Sequence, residues 1–251
     1  MVFWAALRKE ILEQWRSYRL LVVVAVLLVF GLTSPLVAKL TPQIIRLVPN
    51  GGQFASLIPP ATALDAVDQY LKNMSQFGVI LALLLTMGSV AVEKERGTAA
   101  MMLVKPLPRW AFLGAKFVAL GLTFAAGVAL AGAGAYYYTM LLFGPPDLAA
   151  WVGLNGLLLV YTLVFVAITL FCSVVARSQA AAGGLAFGLI LVLALPGVVP
   201  QVGAYLPSAL VTWGRNLITG GPAAWPALAI SLAIIAVALA AAWWRFEKQE
   251  L

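Results

Sequence analysis

Residues able to make or break bonds are scarce in this chain. It contains no histidine and one cysteine, Cys172. Without imidazole there is no His general base, no two-His metal site and no His-based proton relay, which removes the usual centres of hydrolases and zinc proteases. One thiol forms no disulfide within the chain. Neither a phosphate-binding loop ending Gly-Lys-Ser/Thr nor an HExxH pair occurs. The expectation is therefore a chain with no catalytic residue, no metal ligand and no cofactor of its own.

What stands out instead is a tract suited to docking: Glu93, Lys94, Glu95, Arg96, Gly97 and Thr98, then the apolar stretch 99–104, then Lys105, Pro106, Leu107, Pro108, Arg109 and Trp110. Gly97 permits a sharp exit from a preceding helix, Thr98 suits the N-cap of a new one, and Pro106 stops it. The result is a short surface helix that displays Met101, Met102, Leu103 and Val104. So much apolar surface between charges calls for a cover, either a soluble partner or the lipid headgroups.

The elements around this tract follow from composition. Of 251 residues, 63% are apolar or aromatic and only 10% are charged. A soluble domain of this size has about a quarter of its residues charged, so the solvent must be lipid. Uncharged apolar runs occupy 20–38, 77–92, 117–143, 151–176, 180–199 and 223–244. A charge at mid-membrane costs about 2.5–3.5 kcal/mol on insertion scales, so this segregation marks spans. With their flanks they predict an all-α integral membrane protein, one domain over 1–251, with six transmembrane helices at 20–38, 74–92, 111–143, 151–176, 180–199 and 223–244.

Six spans place both termini on one side. That side carries Arg8, Lys9, Arg16, Arg19, Lys94, Arg96, Lys105, Arg109, Lys116, Arg177, Arg245 and Lys248, whereas the other holds only Lys39, Arg46, Lys72 and Arg215. The basic excess makes both ends cytoplasmic, in the cell membrane of a prokaryote. Trp15, Tyr18, Trp110, Tyr136, Trp151, Trp225, Trp243 and Trp244 fall at span ends, where amphipathic rings anchor. The net charge of +7 is scattered rather than gathered on a face, so no nucleic-acid partner is expected.

Residues 1–19 read as an amphipathic interfacial helix, with Trp4, Leu7, Ile11 and Trp15 at helical spacing. In the first outer connection Leu64, Val67, Leu71 and Met74 recur at helical steps and predict an external interfacial helix. The segment 197–222 mixes proline and glycine with apolar residues, which suits short outer helices dipping into the interface.

Across its whole length the chain resembles the permease subunits of ABC-2 type (ATP-binding cassette) transporters, typically exporters. Glu93, Gly97 and Thr98 match that family's acidic-x-x-x-Gly-Thr segment after the second span, and Pro106, Leu107 and Arg109 its Pro-aliphatic-x-Arg turn before the third. Gly114, Ala115 and Lys116 are similar to the step that opens its third span. The resemblance implies that 93–110 forms a cytoplasmic coupling helix received by a separate ATPase, with Glu93, Glu95, Gly97, Thr98, Met101, Met102, Leu103, Pro106 and Arg109 at that contact. It also implies two permease chains, two ATPase subunits that bind the ATP and Mg, and re-entrant helices within 197–222. Both missing power sources agree: the runs hold no Asp, Glu, Lys, Arg or His for ion coupling, and the chain has no nucleotide loop.

Asn155, Thr162 and Thr169, with Ser173 and the adjacent Tyr161, share roughly one face of the fourth span. They are candidates for a substrate pathway, or hydroxyls and amides satisfied within the bundle. An uncharged stripe facing a cavity would suit an amphipathic or lipid-like cargo. Gly184 and Gly188 form a GxxxG step, and Gly127, Ala131 and Ala135 a similar row; each is compatible with packing inside one subunit or with a homodimer seam. A membrane scaffold that recruits a soluble protein through the same loop is the competing functional class.

Overall fold

The computed structural model describes residues 2–46, 59–97, 108–198 and 200–249. Among them every regular element is helical: α1 (Val2–Arg16), α2 (Arg19–Arg46), α3 (Ala63–Thr86), α4 (Ala91–Glu95), α5 (Arg109–Phe143), α6 (Leu148–Val175), α7 (Gln179–Ala194), a 3-10 turn (Leu195–Val198), α8 (Pro200–Gly203), α9 (Ser208–Thr219) and α10 (Trp225–Glu247). Lipid offers no partner to a bare peptide group, so a chain this apolar closes its backbone hydrogen bonds inside helices. The ends are set locally. Thr62 and Asp65 form a reciprocal capping box, Asp147 and Ser178 accept from the amides of Ala150 and Ala181, and Gly144 and Gly220 take positive φ where α5 and α9 stop.

Among the described residues five segments are long and apolar enough to cross a membrane: Arg19–Ile44, Ala63–Glu95, Arg109–Phe143, Leu148–Val175 and Trp225–Glu247. The remaining run, 180–199, begins as α7, whose 16 residues extend about 24 Å, against a hydrocarbon core of about 30 Å. The chain is a multi-pass membrane protein.

The expected external helix proves to be continuous with the second span. Its stripe, Val67, Leu71 and Met74, is buried together with Tyr70 in the main core, because α3 runs unbroken from Ala63. Trp151 likewise is no surface anchor: it is 3% exposed, stacks on Tyr70 and donates through Nε1 to the Gly132 carbonyl. By contrast Trp4, Trp15, Trp110, Trp225, Trp243 and Trp244 stay exposed on the outside of the bundle.

α6 is the central post. Of its apolar stretch 67% is buried, against 17% for α10. α2 lies against α5, where a Cβ on Gly31 would come within 2.6 Å of the Ala131 carbonyl oxygen, so only glycine allows that approach. Gly127 faces Val23 and Leu27 of α2 in the same way, and Ala131 and Ala135 are fully buried in the core. This small-residue row therefore packs within the chain. Gly184 and Gly188 sit on the exposed side of α7, and a Cβ on either would meet nothing within 4 Å.

Candidate functional site

The structure covers only part of the tract expected to dock a partner. Thr98, Met101, Met102, Leu103 and Pro106, and with them the expected coupling helix, lie outside the described residues. Its two flanks, however, are well defined, and each is tied to a different part of the bundle.

The leading flank is α4, which follows a break in the second span at Met87–Val90. In an unbroken helix the amides of Val90 and Ala91 would donate to carbonyls one turn back. Instead both donate to Ser173 Oγ of α6 at 3.0 Å, and that hydroxyl donates to the Met87 carbonyl at 2.9 Å. A side chain inserted into the hydrogen-bond ladder is a sufficient cause of the bend. Gly88 assists, since a Cβ there would press on Val92 and on Gln179 at the start of α7. α4 ends at Gly97, whose φ of +68° lies in the left-handed region open to glycine.

Beyond the bend, Glu93 turns inward. Its carboxylate accepts from Lys116 Nζ of α5 at 2.9 Å, and the same ammonium donates to both Glu10 oxygens of α1 at 3.1 Å. Lys116 is 3% exposed. Lys9 reaches Glu10, Glu13 and Glu93 at 3.1–3.5 Å, closing a five-residue charge network across α1, α4 and α5. Burial by itself would lower the Lys9 pKa, but Glu10, Glu93 and Glu13 outweigh it and hold it above its ordinary value. Burial would likewise raise Glu13, yet Lys9, Lys116 and Arg19 hold that carboxyl below the usual range.

Lys94 points elsewhere, donating to the Val174 carbonyl in the last turn of α6 and to Gln249 Oε1, while Gln249 Nε2 also donates to Val174 O. On the trailing flank, Arg109 donates to the carbonyls of Phe246, Glu247 and Gln249 at the end of α10. Both cations sit where unpaired helix carbonyls and the negative end of the helix dipole favour them. Phe112 stacks on Phe246 beside this clamp, with ring centroids 5.5 Å apart. Glu95 and Arg96 remain exposed.

The hydroxyl and amide face of α6 turns inward. Asn155 Oδ1 accepts from Tyr70 at 2.6 Å and its Nδ2 donates to the Trp151 carbonyl; Gly132 leaves the room this side chain fills. Thr162 donates to Leu158 O, Ser173 holds the bend, and Thr169 is buried with no hydrogen-bond partner for its hydroxyl among the described residues. Of the five pathway candidates, Tyr161 borders an apolar cleft of about 110 Å³ that it shares with Val79, Phe165 and Ile190.

Sequence reading passed over the charge network. Lys116 was visible only as part of a motif, and the stripe that buries α1 is Phe3, Leu7, Glu10 and Gln14 rather than its tryptophans. Two polar residues one helical turn apart in that stripe were the available signal: Glu10 meets Lys116, and Gln14 accepts from Thr123.

The described residues form a polytopic helical bundle whose inward charges cluster at one end, beside the two flanks of 98–107. The chain belongs to the ABC-2 family of transporter proteins, whose sequence profile matches residues 4–251. It is a transporter permease, and membership implies partnership with an ATP-binding-cassette ATPase. It is also similar to YxlG of Bacillus subtilis (strain 168), an uncharacterized transmembrane protein, at 27% identity over 263 residues covering 99% of this chain and 98% of that one.

Proposed function

We propose that this chain is the membrane half of an ATP-driven exporter, worked by a separate ATPase that docks on 93–110 with Glu95, Thr98, Met101, Met102, Leu103 and Pro106 at the contact. One observation carries the reading. The two flanks of that tract are clamped to α1 and α5 through Glu93, to α6 through Lys94 and to α10 through Arg109. A pull on the segment between them would therefore reach four helices at once, through short stiff links. Glu93 and Arg109 act in this scheme as transmitters behind the contact. The chain itself catalyses nothing, and ATP and Mg belong to the partner.

In this scheme α7 and the following 3-10 turn make the sixth crossing, about 32 Å together. The basic end faces the cytoplasm with both termini, α1 lies on that membrane surface, and α8 and α9 form the outer re-entrant segment. The exposed Gly184 and Gly188 supply the seam with a second copy. An uncharged interior lined by apolar side chains suits an amphipathic or lipid-like cargo.

The decisive experiment pairs the chain with its ATPase in liposomes and replaces 97–104 by a flexible linker. Retained folding with lost ATPase capture and lost stimulation of hydrolysis supports the reading; hydrolysis and cargo movement unchanged by the linker refute it. Gly188→Cys in a Cys172→Ala background should crosslink two copies.

A further inference from the structure

α1 has two faces of opposite character from those its composition suggests. The face against α5 carries Glu10 and Gln14 between Phe3 and Leu7, whereas Trp4 and Trp15, 70% and 69% exposed, point away from the protein beside Ile11. At 100° per residue, Trp4, Ile11 and Trp15 fall within one narrow sector and Arg8 lies next to it, with Leu12 and Arg16 following round the helix.

The charges of α1 divide in the same way. Glu10 is answered by Lys116, and Glu13 by Lys9. Arg8 and Arg16 are exposed and form no hydrogen bond or ion pair among the described residues. Together with Ala5, Leu12 and Ser17 and with Lys9 and Glu13, whose charges answer each other, they line a shallow open groove. Their positions are two helical turns apart, about 12 Å along the axis, so each reaches its own anion.

We propose that the outward face of α1 binds anionic phospholipid: Arg8 and Arg16 each hold the phosphate of one of two neighbouring headgroups, while Trp4, Ile11 and Trp15 enter the acyl boundary. The inference rests on α1 lying at the membrane surface, as proposed above. It adds a selectivity to that placement. A guanidinium donates two parallel hydrogen bonds to a phosphate, and an anionic headgroup leaves that charge without the choline that would oppose an arginine. Basic residues beside buried aromatic rings are the composition by which interfacial helices distinguish anionic from zwitterionic surfaces.

The test uses the full chain in nanodiscs of phosphatidylcholine and phosphatidylglycerol in equal parts, with bromine on the acyl chains of one lipid or the other. The fluorescence lost in Trp4→Phe/Trp15→Phe isolates the α1 component from the chain's other tryptophans. Brominated phosphatidylglycerol should half-quench that component at a roughly tenfold lower mole fraction than brominated phosphatidylcholine. The difference should shrink with added salt, vanish in Arg8→Gln/Arg16→Gln and largely survive in Arg8→Lys/Arg16→Lys. Both positions are outside the buried network, so folding is not at stake. Equal quenching by the two lipids overturns the headgroup selectivity and leaves the interfacial placement standing. No quenching by either lipid overturns the placement and the selectivity with it.

Discussion

At the basic end, Lys116, Glu10 and Glu93 meet as buried charges and Lys94 and Arg109 grip helix carbonyls. At the opposite end the same bundle is held by neutral contacts: Tyr70 to Asn155, Trp151 to Gly132, Asn73 to Ser34, and the stacked rings of Phe30 and Phe77. An ion pair at that end, Asp68 with Arg215 at 2.8 Å, is about 40% exposed on both sides. Buried charges bind strongly only while every partner stays in place, so a small displacement changes their energy steeply. Stacked rings and neutral hydrogen bonds tolerate sliding far better. The proposed pull on 93–110 would act on the first arrangement, and the second suits an end that keeps its helices in register.

The largest test of this contrast is Lys116→Met, which leaves Glu10 and the part-buried Glu93 with only the half-exposed Lys9 between them and should cost about 3 kcal/mol of stability. Thermal unfolding in detergent would read that loss, and adding Glu10→Gln and Glu93→Gln should recover most of it while ATPase stimulation stays low. Ser173→Ala removes the hydroxyl that completes the bent ladder, with an expected cost of about 1–3 kcal/mol. Hydrogen exchange should accelerate at the amides of Val90 and Ala91, and at few others. At the opposite end, Asn155→Leu leaves the Tyr70 hydroxyl buried without its acceptor, a cost again of about 1–3 kcal/mol. Here stimulation per folded molecule should remain intact; if it fell as far as in the Lys116 variant, the division of labour between the ends would be wrong.

Asp68→Asn should change stability by less than about 1 kcal/mol, because water already screens that pair. The smallest effect is that of pH on Glu13. Its carboxyl titrates below its ordinary range, so its contribution is present above the unfolded value of about 4.3 and is lost as pH falls through the lower folded value. Unfolding followed from neutral pH downward should show stability steady to about pH 5 and declining below. Glu13→Gln should flatten that decline slightly.

Much of the helical architecture was legible in residue types alone, because lipid forces a simple code: long uncharged runs become helices and charges collect between them. The same code could not tell a buried stripe from an interfacial one. Val67, Leu71 and Met74 carry the spacing of both, and only their packing in the core showed that α3 starts at Ala63. Trp151 reads as a surface anchor by position and is a core residue by contact. The face of α6 was visible as a stripe, but whether Ser173 met a cavity or a backbone depended on where α3 bends.

By itself the sequence determined that the chain spans a membrane several times and that its charges collect between the apolar segments. Each of these depends on the transfer of single segments between water and lipid, a property local to the segment. Tertiary structure decided that Glu93 faces Lys116 and Glu10 and that Arg109 reaches the end of α10, 137 residues along the chain at Phe246. Those pairings join residues far apart in sequence. A charge acquires its partner only when the helices carrying both have packed.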